Sequence, residues 1–197
     1  MDTNKEIAKI ICADYKVHLS NEALNAFAGI LKPVKLLRGK SPFNKGEVCP
    51  CMYYVKRGLV LQHYEKNGVD VVEHISHEGG MVICIESFFL QEPSVLEVTM
   101  LEPGLLYGIP YDEMRAIASR SYEICTLMFA ILERSLIVSQ RKADNLRFET
   151  AKQRYVRTLK ENPEIVRRSP LHCVASFLQM KPETLSRVRT QVMKEGI

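Results

Sequence analysis

Residues 170–189 read PLHCVASFLQMKPETLSRVR, and this stretch decides how the C-terminal part of the chain folds. A first apolar face recurs at helical spacing and consists of Leu171, Val174, Ala175 and Leu178. Residues 179–182 interrupt this face, and a second apolar face begins at Leu185 and continues at Val188. Two short helices joined by a tight turn are predicted, which is the pattern of a helix-turn-helix.

The second helix of this stretch carries a polar side with hydroxyl, acidic and basic groups. These residues are Glu183, Thr184, Ser186, Arg187 and Arg189, with Lys181 just before the helix. Arg pairs with guanine, Glu accepts from the cytosine amino group, and Ser and Thr bond to base edges or phosphates. The set therefore suits the major groove of DNA. The alternative is an ordinary helical hairpin with a solvated charged face.

The charge of the chain is distributed unevenly. Residues 141–197 hold 13 of the 27 Lys and Arg but only 6 of the 23 Asp and Glu, so their net charge is +7 against −3 for residues 1–140. A basic module attached to a slightly acidic one indicates a polyanionic partner for the C-terminal part alone. The alternative is that a short helical domain is basic by chance.

Proline marks the start of several predicted helices near the C-terminus. The three signatures are Asn162-Pro163-Glu164, Ser169-Pro170 and Lys181-Pro182-Glu183. Each places Pro at the first helical position, where its missing N–H costs nothing. Helices are therefore predicted at about 149–161, 163–167, 170–178 and from 182 onward.

A long helix without Gly or Pro is predicted from about 121 to 147. Its apolar stripe consists of Ile124, Ile131 and Val138, which repeat every seven residues, flanked by Leu127, Met128, Leu132, Leu136 and Ile137. Such a stripe on a helix of about 40 Å usually packs against a partner helix, which predicts a homodimer. The alternative is packing against the chain's own β domain, and the stripe is wide enough for both.

Residues 34–110 consist of short apolar runs separated by Gly, Pro and Asn. The runs are 34–37, 52–55, 58–64, 69–75, 81–85, 96–101 and 105–109. Asn67-Gly68 between two of them is a strong hairpin signal. The spacing favours an antiparallel barrel or sandwich over βαβ units. Two helices, at 4–17 and 20–31 with Ser20 as N-cap, are predicted before it.

Composition and motifs exclude several classes of protein. No apolar run approaches the roughly 18 residues that span a bilayer, and the polar start lacks a secretory signal, so a cytoplasmic protein is expected. The six cysteines form no C-x-x-C pair, and no metal site is expected. The sequence has no Gly-rich phosphate loop and no nucleophile elbow, so an enzyme is not expected.

Two sets of segments resemble the cyclic-AMP receptor protein (Crp/Fnr) family. Its DNA-binding end is matched by Arg154-Tyr155, Asn162-Pro163-Glu164, Ala175-Ser176-Phe177-Leu178 and Pro182-Glu183-Thr184-Leu185-Ser186-Arg187. Its cyclic-nucleotide-binding barrel is matched by Phe43-x-x-Gly46-Glu47, Tyr53-Tyr54-Val55-x-x-Gly58-Leu59-Val60, Asn67-Gly68 and Glu78-Gly79. The resemblance covers nearly the whole chain, and the hexamer at 182–187 is its most specific part.

This resemblance implies DNA-binding roles for particular residues. Glu183 and Arg187 inherit the base-reading positions, while Pro182 stands where the family has a further base-reading Arg, so the target half-site is expected to differ. The residues expected to contact phosphate are Lys181, Thr184, Ser186 and Arg189. No β-hairpin wing is expected after the helix-turn-helix.

The resemblance also implies an effector pocket, but with altered chemistry. The pocket residues are expected to be Met81, Val82, Glu86 and Ser94. Glu86 lacks the Gly that precedes it in the family, and Pro93 replaces the Arg that clamps the cyclic phosphate. A buried phosphate without this cation loses a strong bidentate pair. Cyclic AMP is therefore not expected, and the alternatives are a different small-molecule effector or none.

Taken together, these features predict an α+β protein with three parts. They are an antiparallel cyclic-nucleotide-binding-like β-barrel (jelly roll) with N-terminal helices at 1–118, a dimerisation helix at 119–147 and a helix-turn-helix domain without an obvious wing at 148–197. The expected function is a homodimeric regulator that binds a pseudo-palindromic DNA site, with RNA polymerase as a further partner and no membrane contact. The alternative is a ligand-binding or protein-interaction module that no longer reads DNA.

Overall fold

The computed structural model describes residues 3–196, so the outermost ends of the predicted domains, Met1, Asp2 and Ile197, lie outside the described residues. The elements in chain order are α1 (Thr3–Asp14), α2 (Asn21–Ile30), β1 (Lys32–Leu36), β2 (Cys51–Arg57), β3 (Val60–Lys66), β4 (Val69–Ser76), β5 (Met81–Val82), α3 (Ile85–Leu90), β6 (Glu97–Met100), β7 (Gly104–Pro110), α4 (Tyr111–Ala118), α5 (Tyr122–Phe148), α6 (Ala151–Glu161), α7 (Pro163–Arg168), α8 (Leu171–Phe177) and α9 (Pro182–Lys194).

The β region forms two antiparallel sheets. One has the strand order β1-β7-β2-β5 and the other the order β4-β3-β6, which leaves β4 at an edge. The predicted antiparallel β architecture is confirmed, while closure into a jelly roll stays a prediction. The predicted strand at 81–85 is wrong beyond Val82, because Cys84 is already the N-cap of α3.

Asn67 and Gly68 form the predicted hairpin between β3 and β4. Both residues have positive φ angles, 54° and 74°. This is the turn in which Asn-Gly is favoured, because its twist matches that of the flanking strands. The register follows from it, with Lys66 opposite Val69.

The helices before and after the sheets pack on the same hydrophobic core. Ser20 caps α2 as predicted, and Phe27 of that helix is fully buried. The long helix α5 contributes Ile124, Leu127 and Ile131 to this core, each without exposed surface. Three residues of the predicted dimer stripe therefore pack against their own chain.

The four C-terminal helices have a core of their own. It is formed by Tyr155, Val166, Val174, Ala175, Leu178, Leu185, Val188 and Val192. A capping box between Thr150 and Gln153 begins α6, directly after the end of α5. Among residues 3–196, no helix is both long and apolar enough to span a bilayer.

Candidate nucleic-acid interface

A tight turn joins α8 to α9 at the position predicted from the sequence. The N–H of Met180 donates to the carbonyl of Ala175 at 3.0 Å, and the N–H of Gln179 donates to that of Ser176 at 3.0 Å. Gln179 has a φ of 51°, which is the left-handed conformation. Ala175 and Leu185 are buried where the two helices pack together. The turn therefore fixes the direction of α9.

The left-handed Gln179 gives a stability prediction. Its side chain is exposed, so replacement by Gly removes little besides the conformational cost. Gln179→Gly is expected to raise the free energy of unfolding by about 0.5–1 kcal/mol, because Gly adopts this conformation without strain. Urea unfolding checks this result. Gln191→Gly, inside α9, is the control and is expected to lower stability by about 1 kcal/mol; equal effects of the two variants would contradict the account.

The predicted DNA-binding residues lie at the start of α9 and on its exposed surface. Lys181 is the N-cap, and exposed side chains follow at Glu183, Ser186, Arg187 and Arg189, with Thr184 half-buried. The Arg187 guanidinium donates to the Thr184 hydroxyl at 3.4 Å. The sequence analysis missed two residues, Thr190 and Lys194, although their spacing of three and seven residues from Arg187 places them on the same exposed face.

Arg154 forms hydrogen bonds to the backbone of the turn between α8 and α9. Its guanidinium donates to the carbonyls of Leu178 at 2.8 Å and Glu149 at 2.7 Å, and reaches that of Gln179 at 3.4 Å. Arg154 therefore joins the end of α5, the start of α6 and the turn before α9. Its role in this structure is to position the polar face of α9.

The C-terminal helices are anchored on the free edge of the second sheet. The Ser176 hydroxyl accepts the N–H of Val72 at 2.9 Å and donates to the carbonyl of Asp70 at 3.3 Å. A mixed hydrophobic cluster lies beside it, made of Leu59, Leu61, Val72, Ile75, Ile165 and Cys173. Helix α8 therefore occupies hydrogen-bonding positions of the edge strand β4.

Arg168 supplies the charged part of this anchor. Its guanidinium lies 2.7 Å from the carboxylate of Glu78 and 2.6 Å from that of Glu102. Hydrogen bonds from Arg168, and then from the N–H of Gly58, lower the pKa of Glu78 to about 2, from an ordinary value of 4.5. A depressed carboxyl pKa stabilises the folded state above pH 4.5, and this stabilisation is lost as the pH falls towards 2.

Arg168→Met is therefore expected to lower the free energy of unfolding at pH 7 by about 1–2 kcal/mol, because the partly exposed pairs are screened by solvent. Between pH 4.5 and 2, the free energy of unfolding of the variant is also expected to decrease less than that of the native protein. Urea unfolding across this pH range measures both effects. Arg167→Met is the matched control, since the one carboxylate that pairs with Arg167 within residues 3–196 is that of Glu164, on the surface. An equally large loss of stability in this variant would contradict the anchor.

The four predicted effector residues have different environments. Val82 is fully buried in the core, Glu86 is exposed on α3, and the buried Ser94 donates its hydroxyl to the carbonyl of Leu96 at 2.8 Å. Met81 lines a groove of about 560 Å³ between β4, β5 and α5, together with Gln62. The effector role of these four residues stays a prediction.

Other buried polar groups in this region were missed by the sequence analysis. The Ser87 hydroxyl accepts the N–H of Cys49 at 2.9 Å and donates to the carbonyl of Glu92 at 2.6 Å. The Gln62 amide donates to the carbonyl of Ile83 at 3.1 Å. These groups bond within the chain, and no local sequence signal identifies them. Within residues 3–196, no three His, Cys, Asp or Glu side chains form a cluster suited to a metal.

Helix α5 also has an apolar side that faces solvent. Tyr122, Phe129 and Leu136 are 87%, 67% and 69% exposed and repeat every seven residues. Of the other two predicted dimer residues, Met128 is half-buried and Val138 is 48% exposed. The apolar face formed by Tyr122, Phe129 and Leu136 is named the outer seam. It lies opposite the buried residues, because Phe129 is two residues, or about 200° around the helix, from both Leu127 and Ile131.

Comparison with solved structures identifies the fold. FixK2 from Bradyrhizobium japonicum gives a TM-score of 0.71 at 16% identity, over 85% of this chain and 87% of that one. The c-di-GMP-responsive global regulator CLP of Xanthomonas campestris gives 0.65 at 19% identity, over 90% and 93%. A protein from Eubacterium rectale described as a transcriptional regulator of the Crp/Fnr family gives 0.68 at 14% identity, over 90% and 85%.

At the level of sequence alone, no protein-family model and no curated protein matches the chain. The structural neighbours are regulatory proteins, and their likeness extends over both the sheets and the C-terminal helices. The chain therefore has the fold of the transcription regulators of the Crp/Fnr family.

Proposed function

We propose that the chain is a sequence-specific DNA-binding transcription regulator of the Crp/Fnr type. The observation that carries the proposal is the exposed polar face of α9 on a rigid helix pair whose turn is fixed by Arg154. Glu183 and Arg187 read bases, since a carboxylate and a guanidinium discriminate cytosine and guanine edges. Lys181, Thr184, Ser186 and Arg189 contact phosphates, which fix the register without reading sequence.

The regulator acts as a homodimer through α5. The outer seam supports this, because exposed aromatic and aliphatic residues at heptad spacing suit a second copy of the same helix. Since a two-fold interface uses the same surface on both copies, the two α9 helices are related by the same axis. They enter successive major grooves about 34 Å apart on a pseudo-palindromic site.

Effector binding, dimerisation and DNA binding are carried out by three units. They are a β domain at 1–118, a dimerisation helix at 119–147 and a helix-turn-helix domain at 148–197. The β domain binds a small-molecule effector other than cyclic AMP, because Pro93 leaves a cyclic phosphate without its clamping cation. Neighbours of this fold differ in effector, since CLP is described as c-di-GMP responsive and a PfPKA-R fragment as cAMP bound. Such an effector changes the orientation of the helix-turn-helix domain only if it binds the protein with different affinities in two orientations of that domain.

The regulator acts in the cytoplasm, on DNA and together with RNA polymerase. Selection of bound duplexes from a random pool tests it, and the expected result is an enriched two-fold-symmetric motif. An interaction module that no longer reads DNA would enrich no sequence.

A further inference from the structure

A second groove lies beside the C-terminal half of α5 and adjoins the one between the sheets and α5, with which it shares Arg134 and Val138. Its volume is about 900 Å³, and its walls are the end of α1, helix α6 and the residues that end α8. Small-molecule sites commonly have volumes of about 300–1,000 Å³. The groove is therefore large enough for a ligand of moderate size.

Basic side chains outnumber acidic ones in the lining of the groove. Its six basic side chains are Lys16, Arg134, Arg141, Lys142, Arg154 and Arg157, against three acidic ones, Asp14, Glu133 and Glu161. Two of these acids are already engaged, since Asp14 accepts the Tyr54 hydroxyl at 2.6 Å and Glu161 pairs with Arg157 at 3.3 Å. Two of the basic groups are engaged as well, since Lys142 pairs with Glu73 at 2.8 Å and Arg157 with Glu149 at 3.1 Å. The remaining positive charge of the groove is carried by Lys16 and three arginines.

Three of its arginines have no carboxylate partner among residues 3–196. Arg134 lies over the Tyr15 ring at 5.2 Å and donates only to the backbone carbonyl of Asp14. Arg154 donates to backbone carbonyls, and Arg141 is exposed on the next turns of α5. Because no carboxylate neutralises these guanidinium groups, they can form charge-assisted hydrogen bonds with a bound anion.

Apolar side chains lie between these charges. Ile137 and Val138 are 43% and 48% exposed and fall between Arg134 and Arg141 on the groove side of α5. The sugar–phosphate backbone of a nucleic acid offers mainly charged phosphates, which do not suit these two apolar side chains. Val138 lies two residues from Leu136, about 200° around the helix, so the groove stays open when a second copy covers the outer seam.

We propose that this groove binds an amphiphilic organic anion, with its acid group on Arg134 and Arg141 and its apolar body on Ile137 and Val138. Arg154 and Phe177 of the C-terminal helices line the same groove, so the ligand contacts both α5 and the unit that carries α9. Its binding would consequently bias the orientation of α9. That regulatory consequence rests on the proposed function, whereas binding itself does not.

Displacement of a fluorescent fatty acid, dansyl undecanoate, tests the proposal on the full chain at about 150 mM salt. Decanoate is expected to displace the probe at least about tenfold more effectively than decanol, which has a similar apolar body and no charge. The double variant Arg134→Gln, Arg141→Gln is expected to bind the probe at least about tenfold more weakly. The matched control, Arg38→Gln with Arg120→Gln, removes the same charge from exposed positions elsewhere and is expected to bind normally.

Equal displacement by decanol, or equal loss in both double variants, would overturn the anion site. Displacement by a random DNA duplex but not by decanoate would also overturn it and assign the groove to nucleic acid. Arg141→Gln alone keeps the test decisive if the double variant fails to fold, as judged by circular dichroism. Sequence selection in DNA binding is measured separately, so loss of fatty-acid binding with intact selection would overturn only this inference.

Discussion

Arg187→Ala is expected to lower affinity for the selected DNA site by roughly 10- to 100-fold while leaving binding to random duplex nearly unchanged. The reason is that Arg187 lies exposed on α9 beside Glu183, without a carboxylate partner among residues 3–196. A guanidinium that bonds to a base edge contributes to the affinity for the DNA sequence that contains this base, and not to the affinity for other sequences. Fluorescence anisotropy with the selected and a scrambled duplex measures the difference.

Arg189→Ala is the matched control on the same helix. Arg189 lies two residues from Arg187, about 200° around α9, so it is placed to reach a phosphate and not the same base pair. Loss of the Arg189 side chain is expected to weaken binding to both duplexes by the same factor. It is also expected to reduce the slope of log K against log salt concentration by about one. Identical effects of the two variants on the selected and scrambled duplexes would contradict the assignment of Arg187.

Leu136→Glu is expected to convert the dimer into a monomer, raising the dissociation constant at least about 100-fold. Burying one leucine side chain contributes about 1.5–3 kcal/mol, and a two-fold interface loses this contribution twice. The inserted carboxylates also face each other near the symmetry axis. Sedimentation equilibrium at micromolar protein measures the change.

Leu37→Glu is the control for this substitution, because Leu37 is also 69% exposed but directly follows β1 and is not part of the outer seam. This variant is expected to remain a dimer. A monomeric native protein, or dissociation of both variants, would show that the outer seam does not join the two copies.

The local features of the fold were predictable from the sequence because their causes are local. Asn67-Gly68 requires positive φ angles, and the structure has them. Ser20 caps α2 because its hydroxyl accepts the N–H of Ala23 in the first turn. Proline at residues 163 and 182 marks helix starts for the same local reason.

What the apolar stripe packs against was not predictable from the same sequence. Periodicity shows that Ile124, Leu127 and Ile131 share one face of a helix, but not whether that face meets its own chain or another. The structure buries them in their own core and exposes Leu136, which flanks the predicted stripe, together with Phe129. The buried and the exposed apolar residues both recur at helical spacing on α5, so the sequence pattern alone did not show which of them face solvent.

Contacts between distant segments were also beyond the sequence analysis. Arg168 lies 90 residues from Glu78 and 66 from Glu102, and no spacing rule joins residues so far apart. The same holds for Arg134 and Arg154, which meet in one groove only after α5 and α6 have packed. Such sites depend on tertiary structure, because their residues share no helical or strand periodicity.

The most direct test of the account is selection of bound duplexes from a random DNA pool by the purified protein at about 150 mM salt, with and without cyclic AMP. The account predicts an enriched two-fold-symmetric motif with half-site centres about one helical turn apart, obtained without cyclic AMP. Enrichment only with cyclic AMP would contradict the effector assignment. No enriched motif under either condition would contradict the central claim that α9 reads DNA sequence.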